Sequence, residues 1–323
     1  MLASFVHRWL AAAAALLVVV PTLGAAGERV TVKMRPLQVA PHTYYVRGEA
    51  SEATSKNQGF MSNAGFVVTK AGVVVFDTLG TPALGEELIR QIRKVTKQPI
   101  KRVILSHFHA DHSYGLQAFK AVGAEVWAHR EGKLYLASEL ARQRLEQRRK
   151  ALAPWVDEET RLVPADRWLD GDTTFELGGM RFELFYLGPA HASEDLMMKV
   201  SPEGVLFSGD LLFAGRIPFV GEADSKRWLA AIDRLLAFEP KVLVPGHGEV
   251  SSRPTTELKL TRDYLTFLRE VMKKAVDDFV PFDEAYEQTD WGRFSSYPAF
   301  EAANRVNAYN TYLLMEKESL NGR

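Results

Sequence analysis

The chain has 323 residues, 46% of them apolar and 25% charged, a composition that excludes disorder or a fibrous repeat as its organising state. Lys plus Arg and Asp plus Glu number 40 each, so no positive excess draws the chain onto phosphate backbones, and nucleic acid is not an expected partner. Cysteine is absent, which excludes disulfides, thiol nucleophiles, thiolate metal sites and iron–sulfur clusters. Any metal must be held by His, Asp or Glu.

Residues 1–26 read as an export signal. His7 and Arg8 make a weakly positive start, Leu10 to Val20 is an unbroken apolar run, and Gly24 and Ala26 are spaced like a cleavage site. The run is shorter than the roughly 20 residues needed to cross a bilayer. The expectation is therefore a mature chain starting near Gly27, in the periplasm or secreted, with no stable membrane anchor. From Val30 to Asp77 the sequence reads as four short strands, TVKM, TYYVRG, GFVVT and GVVVFD. The polar, aperiodic stretch from Gly48 to Asn63 reads as a mobile loop. Helical spacing follows at Leu84, Leu88, Ile89 and Ile92, with Pro82 at the start. A strand over Arg102–Ser106, a helix over Tyr114–Val122 and a strand over Ala124–Ala128 come next.

The stretch 131–162 reads as charged helix, and 172–187 as a hairpin that turns at Gly178 and Gly179. A strand ending at Ser208, a helix over Ser225–Phe238, a strand KVLVP and an all-helical stretch over 254–323 complete the chain. The organisation expected is one α/β domain over 27–253 with a helical extension, 254–323, packed on it.

Five apolar strands run into residues of metal-ligand type: VVVFD ends at Asp77, VILS leads into His107, ELFYLGPA into His191, VLFSG into Asp210 and VLVPG into His247. In a layered α/β fold, strand ends at one sheet edge deliver such groups into a shared cleft. The densest element is His107-Phe108-His109-Ala110-Asp111-His112. In extended backbone, residues two apart point the same way, so His107 and His109 face one ion while Phe108 turns into the packing. A helical turn near His112 then swings Asp111 and His112 toward a neighbouring position, and the run serves two adjacent metals.

These motifs resemble the metallo-β-lactamase superfamily, whose signature is His-x-His-x-Asp-His. Asp77, His191 in Gly-Pro-Ala-His, Asp210 in Ser-Gly-Asp and His247 in Pro-Gly-His-Gly stand at its other motifs in order. The resemblance implies a four-layer αβ/βα sandwich. It implies that His107, His109 and His191 bind one metal, that Asp111, His112 and His247 bind a second, and that Asp210 bridges both. Asp77 would orient a ligand histidine instead of binding metal itself. The phrases GVVVFDTLGTP, GRIPFVGEADS and ANRVNAYNTYLLMEKES resemble a narrower branch, exported metallohydrolases associated with sulfur-oxidation and quinoprotein systems.

The ligand set implies a hydrolase with two Zn2+ per chain, Fe2+ or Mn2+ being compatible with the same nitrogen and oxygen donors. Hydroxide held at the metals would attack a small carbonyl compound, an ester, thioester or lactam, while Asp111 carries the proton to the leaving group. The alternatives are a mononuclear iron persulfide dioxygenase, a chemistry the superfamily also supports, and a non-catalytic metal-binding periplasmic partner protein. The absent cysteine excludes β-lactamases with a thiolate in the second metal site. Asp210 is similar to the glyoxalase II-type members, but no glutathione-binding basic residues match in 254–323. His129 reads as structural, the basic run Arg142–Lys150 as a solvated helix face, and the aromatics from Trp291 to Phe300 as core. Arg216 reads as either a loop residue or a contact for a substrate carboxylate. Neither the substrate nor the oligomeric state is legible.

Overall fold

The computed structural model describes residues 29–321 apart from Glu222 and Leu258. The expected export signal, 1–26, lies outside these residues. A first sheet holds seven strands in chain order: β1 (Leu37–Gln38), β2 (Thr43–Val46), β3 (Ala64–Thr69), β4 (Gly72–Phe76), β5 (Ile100–Ile104), β6 (Glu125–His129) and β7 (Arg167–Leu169). Its β1–β4 half is antiparallel, and β4 to β7 run parallel. The parallel half needs crossovers. They are supplied by α1 (Pro82–Val95), by α2 (Ala110–Ser113) with α3 (Leu116–Ala121), and by α4 (Gly132–Ala137) with α5 (Glu139–Ala151).

The second sheet runs β12-β11-β10-β9-β8, from β8 (Thr173–Leu177), β9 (Met180–Tyr186), β10 (Leu196–Ser201), β11 (Val205–Phe207) and β12 (Val242–Val244). The helix α6 (Ser225–Leu236) joins its parallel pair, β11 and β12. The chain ends in α7 (Pro254–Glu257), α8 (Lys259–Asp277), α9 (Phe282–Gln288) and α10 (Phe300–Asn321).

The side-chain alternation of β4 shows why the sheets stack. Val74 and Phe76 face a core shared with Phe182, Leu184, Met198 and Phe207 of the second sheet. Val73 and Val75 face outward onto Leu84, Leu88, Ile89 and Ile92 of α1. The outer face of the second sheet is covered in turn by Trp228, Ile232 and Leu235 of α6, with Tyr264 and Leu268 of α8. Helices, sheet, sheet and helices form four layers, a mixed αβ/βα sandwich with a C-terminal helical region. Local chemistry agrees with the packing. Thr81 Oγ1 accepts from Leu84 N at 3.1 Å ahead of Pro82, and Asp224 Oδ1 accepts from Arg227 N at 3.0 Å to start α6.

Several expectations change. TVKM forms no strand; Thr31 N instead donates to the Gln58 side chain at 2.9 Å. The short β7 and the strand β10, LMMKVS, are additions to the expected elements, β10 pairing with β11 across the turn at Pro202 to Gly204. Helix stops at Ala151, because Pro154 cannot continue it, and 152–162 is turns and irregular chain. The stretch 48–63 is not a free loop. From Asn57 to Asn63 it is buried: Asn57 ties Thr54 N and Gly59 N, and the Asn63 amide donates to the carbonyls of Pro245 and Gly248 at 2.8 and 2.9 Å.

Candidate metal centre

The ligand-type residues come from strand ends at one edge of the paired sheets. Asp77 follows β4, His107 follows β5, Asp210 lies in a 3-10 turn, Gly209–Leu211, after β11, and His247 follows β12. His191 sits in the loop between β9 and β10, where Asp195 Oδ2 accepts from Ala192 N at 2.8 Å and Leu187 N donates to Asp195 O at 2.9 Å. Backbone bonds lock these loops together: Leu196 N to Ser106 O at 2.9 Å, Ser208 N to Val244 O at 3.0 Å, and Gly246 N to Gly209 O at 2.8 Å. Gly246 admits no side chain, since a Cβ would stand 2.0 Å from Asp210 Oδ1. That is the physical content of the glycine before His247.

Two sets of donors converge. In one, His191 Nε2 and His109 Nδ1 are 2.9 Å apart with His107 beside them, all within a span of 4.8 Å. The other comprises Asp111, His112, Asp210 and His247. There Asp111 Oδ2 is 3.5 Å from His112 Nε2 and 3.3 Å from His247 Nε2. Asp210 stands between the sets. Its Oδ2 is 3.4 Å from His191 Nε2, 3.9 Å from His107 Nε2 and 3.3 Å from His247 Nε2, while Oδ1 is 3.1 Å from His112 Nε2.

These separations fit a cation. Ligands about 2.1 Å from a tetrahedral metal are about 3.4 Å from one another. The orphaned atoms agree: His107 Nε2, His112 Nε2 and Asp210 Oδ1 are buried without a hydrogen-bond partner, although His112 Nε2 and Asp210 Oδ1 nearly touch. Unpaired nitrogen and oxygen atoms that converge at such separations suit the donor set of a cation.

The opposite ring nitrogens are fixed by the protein. His112 Nδ1 meets Asp77 Oδ2 at 2.9 Å, His107 Nδ1 meets Ser106 Oγ at 2.9 Å, and His247 Nδ1 meets Met61 O at 2.8 Å. Asp77 also accepts from Ser106 N and Ser106 Oγ, each at 2.8 Å. Its φ of 62° is left-handed, a conformation Asp tolerates better than most residues and one typical of functional turns. Asp77 thus touches His112, a candidate ligand, and belongs to neither donor set.

Charge follows the same division. Burial pushes His107 and His109 well below the usual imidazole value and His191 down to about 4. Burial would do the same to His112 and His247, but Asp210 and Asp111 outweigh it and hold both above that value. Burial favours neutral carboxyls at Asp111 and Asp210, yet the same histidines keep both well below the usual carboxylate range.

The cluster opens into a cavity of about 630 Å³ lined by His109, Asp111, His191, Asp210 and His247 at its floor. Phe219 and Val220 form one wall beside Val306, Asn307 and Asn310 of α10. Asn307 clamps that wall, accepting from Val220 N at 2.8 Å and donating to Pro218 O at 2.7 Å. The C-terminal helix is therefore part of the site.

Other positions fall elsewhere. Arg216 is fully buried behind the wall, with Nη1 on Ser51 O at 3.0 Å and Nη2 without a partner. His129 stacks on Tyr186 at 3.7 Å, away from the cluster. Phe294 packs in the core against Tyr264. The basic run on α5 is not simply a solvated face, because Arg144 and Arg148 line the cavity. Sequence reasoning missed these two, together with Ser106, Met61, Asp195 and Asn307. Only the Ser immediately before the His run and the Asn-rich phrase near the C terminus carried any signal.

A four-layer αβ/βα sandwich with two His/Asp donor sets at one sheet edge is the architecture of a metal-dependent hydrolase class. The sequence model of the metallo-beta-lactamase superfamily matches residues 57–247, and the chain belongs to that superfamily. It is 25% identical over 256 residues to a linear primary-alkylsulfatase from Pseudomonas sp., a match covering 67% of this chain and 48% of that one, so the chain spans about half that relative's length. It is 27% identical over 197 residues to the metallo-beta-lactamase type 2 of Bacillus cereus, covering 59% of this chain and 69% of that one. Among solved structures, the inverting sec-alkylsulfatase Pisa1 from Pseudomonas sp. superposes with a TM-score of 0.69 at 19% identity, over 86% of this chain and 50% of that one. A metallo-beta-lactamase from Pontibacter korlensis gives 0.55 at 24% identity, over 68% and 93%.

Proposed function

We propose that the protein is a binuclear metallohydrolase, with zinc in both positions, that cleaves a small carbonyl compound: an ester, thioester or lactam. The observation that carries this reading is the placement of Asp210, whose two oxygens lie within 3.1 to 3.9 Å of nitrogens from both donor sets. His107, His109 and His191 would hold one cation, and Asp111, His112 and His247 the other. Two such cations lower the pKa of water toward neutrality and polarise a carbonyl oxygen when bound.

The chain's own residues do the rest. Asp77 and Met61 O hold the His112 and His247 rings so that each Nε2 points inward. Asp111 is the cluster carboxylate most open to the cavity, at 13% side-chain exposure against 4% for Asp210, and stays ionised beside His112 and His247. It is therefore placed to accept a proton and pass it to the leaving group. Met61, Phe219 and Val220 bound the cavity with apolar surface and limit water around the reacting bond.

The matches to alkylsulfatases favour one second reading, hydrolysis of a sulfate ester. Location outside the cytoplasm, in the branch associated with sulfur-oxidation and quinoprotein systems, is proposed from the Leu10–Val20 run and the three phrases quoted above. A panel of 4-nitrophenyl esters, thioesters, a lactam and an alkyl sulfate, assayed before and after chelation with oxygen uptake on a persulfide in parallel, tests the assignment. Chelator-sensitive hydrolysis of a carbonyl substrate is the expected result. Oxygen-consuming turnover without hydrolysis would replace it with the iron dioxygenase reading, and cleavage of the sulfate alone with the sulfatase reading.

A further inference from the structure

The basic run on α5 splits into two groups. Arg142 pairs with Glu139 at 2.7 Å, and Arg149 is tied to Glu146, Glu158 and the carbonyls of Asp157 and Thr160. Neither lines the cavity. Arg144 and Arg148, one helical turn apart, both do. Among the described residues no carboxylate pairs with either of them. Arg144 is nevertheless held in place: its Nη1 donates to Tyr135 Oη at 3.2 Å, and the Tyr135 ring stands edge-on to the ligand-type His109 with centroids 6.1 Å apart. Beneath them Tyr114 Oη is buried without a partner, within the field of both guanidinium groups.

Half-buried guanidinium groups with no carboxylate in ion-pair contact lose hydration that the Tyr135 hydrogen bond offsets only in part, although Glu194 and Asp111 line the same cavity, and an anionic ligand would offset the rest. Their planar donor forks suit an oxyanion held by two parallel bonds. Phe219, Val220 and Val306 line the same cavity and offer apolar surface. The cavity thus has a metal-ligand floor, a basic side set one aromatic ring away from His109, and an apolar wall.

Building on the hydrolase reading, we infer that the substrate carries a second, anionic group beyond its scissile carbonyl, and that Arg144 and Arg148 hold this group. The substrate class is a half-ester or half-thioester of a short diacid, with its apolar portion against Phe219 and Val220. The geometry assigns Arg144 and Arg148 to recognition of the anion, with no part in bond breaking.

Calorimetric titration of the metal-loaded full chain tests this without requiring turnover. The ligands are butyrate, glutarate, 4-sulfobutyrate and 4-phosphonobutyrate, on wild type and on the Arg144→Gln/Arg148→Gln double variant. At least one of the three doubly anionic ligands should bind wild type about 10- to 100-fold tighter than butyrate, the range for a charge-assisted pair. The double variant should lose that preference and bind all four ligands about equally. Equal binding of all four ligands by wild type, which needs no variant, would overturn the inference, as would a preference that survives in the double variant. Comparing mono-4-nitrophenyl glutarate with 4-nitrophenyl butyrate separates the two readings. A binding preference without hydrolysis of either ester, nor of the thioesters and lactam of the panel above, would sink the hydrolase assignment and leave the anion site standing.

Discussion

The two donor sets are built from similar residues but are held in different electrostatic states. His107, His109 and His191 form a set of imidazoles that burial keeps neutral, with Asp210 supplying the negative charge near them. The other set interleaves His112 and His247 with Asp111 and Asp210, so in the metal-free chain cationic rings and carboxylates compensate one another. Their supports differ in part, although His107 Nδ1 of the first set is fixed by Ser106 Oγ. His112 and His247 have Nδ1 fixed by Asp77 and Met61 O, whereas His191 Nδ1 is buried without a partner and its ring is held by packing against Trp228 at 5.0 Å. The lesson is that donor atoms can be gathered either by keeping imidazoles neutral through burial or by pairing them with carboxylates, which a bound cation would then share.

Replacing the residue common to both sets should have the largest effect. Asp210→Asn substitutes a neutral amide for the carboxylate near both positions. Metal analysis should show loss at both, and hydrolysis should fall to background. If only one metal is lost, Asp210 is not shared. Asp111→Asn comes next, with turnover falling about 10² to 10⁴-fold for a lost proton carrier. The three-histidine set should stay loaded, so metal content and rate must be measured on the same preparation.

A smaller effect is expected behind the ligands. Asp77→Asn keeps a residue that tolerates the left-handed turn but removes the charge facing His112 and Ser106. Metal affinity of the Asp111-containing set should weaken by about 10 to 100-fold. Competition with a calibrated chelator reads it, and unchanged affinity would show that Asp77 serves only the turn.

The smallest effect lies in the stability of the metal-free chain against pH. A histidine raised in the folded state stabilises below its unfolded value near 6.5, and that contribution is lost as pH rises through the folded value. His112 and His247 act in this way. A histidine depressed in the folded state does the reverse: stability falls as pH drops from about 6.5, continuing to about 4 for His191. Thermal unfolding of metal-free His112→Asn should show less loss on the alkaline side than wild type, and metal-free His191→Asn less loss on the acid side. Parallel curves for all three would erase the electrostatic contrast between the sets.

The parts of this molecule legible in its sequence are those written locally. Strands that end in Asp77, His107, Asp210 and His247 announce themselves because apolar alternation stops at a polar residue, and the structure brings those ends to one edge. The four-layer sandwich was legible through the motifs, since alternation of strand and helix is compatible with several α/β folds. What stayed hidden depends on distant pairings. Met61 reaches His247 through a backbone carbonyl, which no residue type encodes. Asn307 clamps a loop 87 residues earlier in the chain. Arg144 and Arg148 share a helix with Arg142 and Arg149, and only the docking of α5 decides which arginines face the cavity.

Metal content per chain, measured for wild type and for His247→Ala, tests the account most directly. His247 belongs to the second set alone, with its Nε2 3.3 Å from Asp111 and from Asp210. Two metals per chain in wild type, falling to one in the variant with loss of hydrolysis, is the result predicted. One iron per chain, unaltered by His247→Ala and accompanied by oxygen uptake, would contradict the binuclear hydrolase and leave the fold assignment in place.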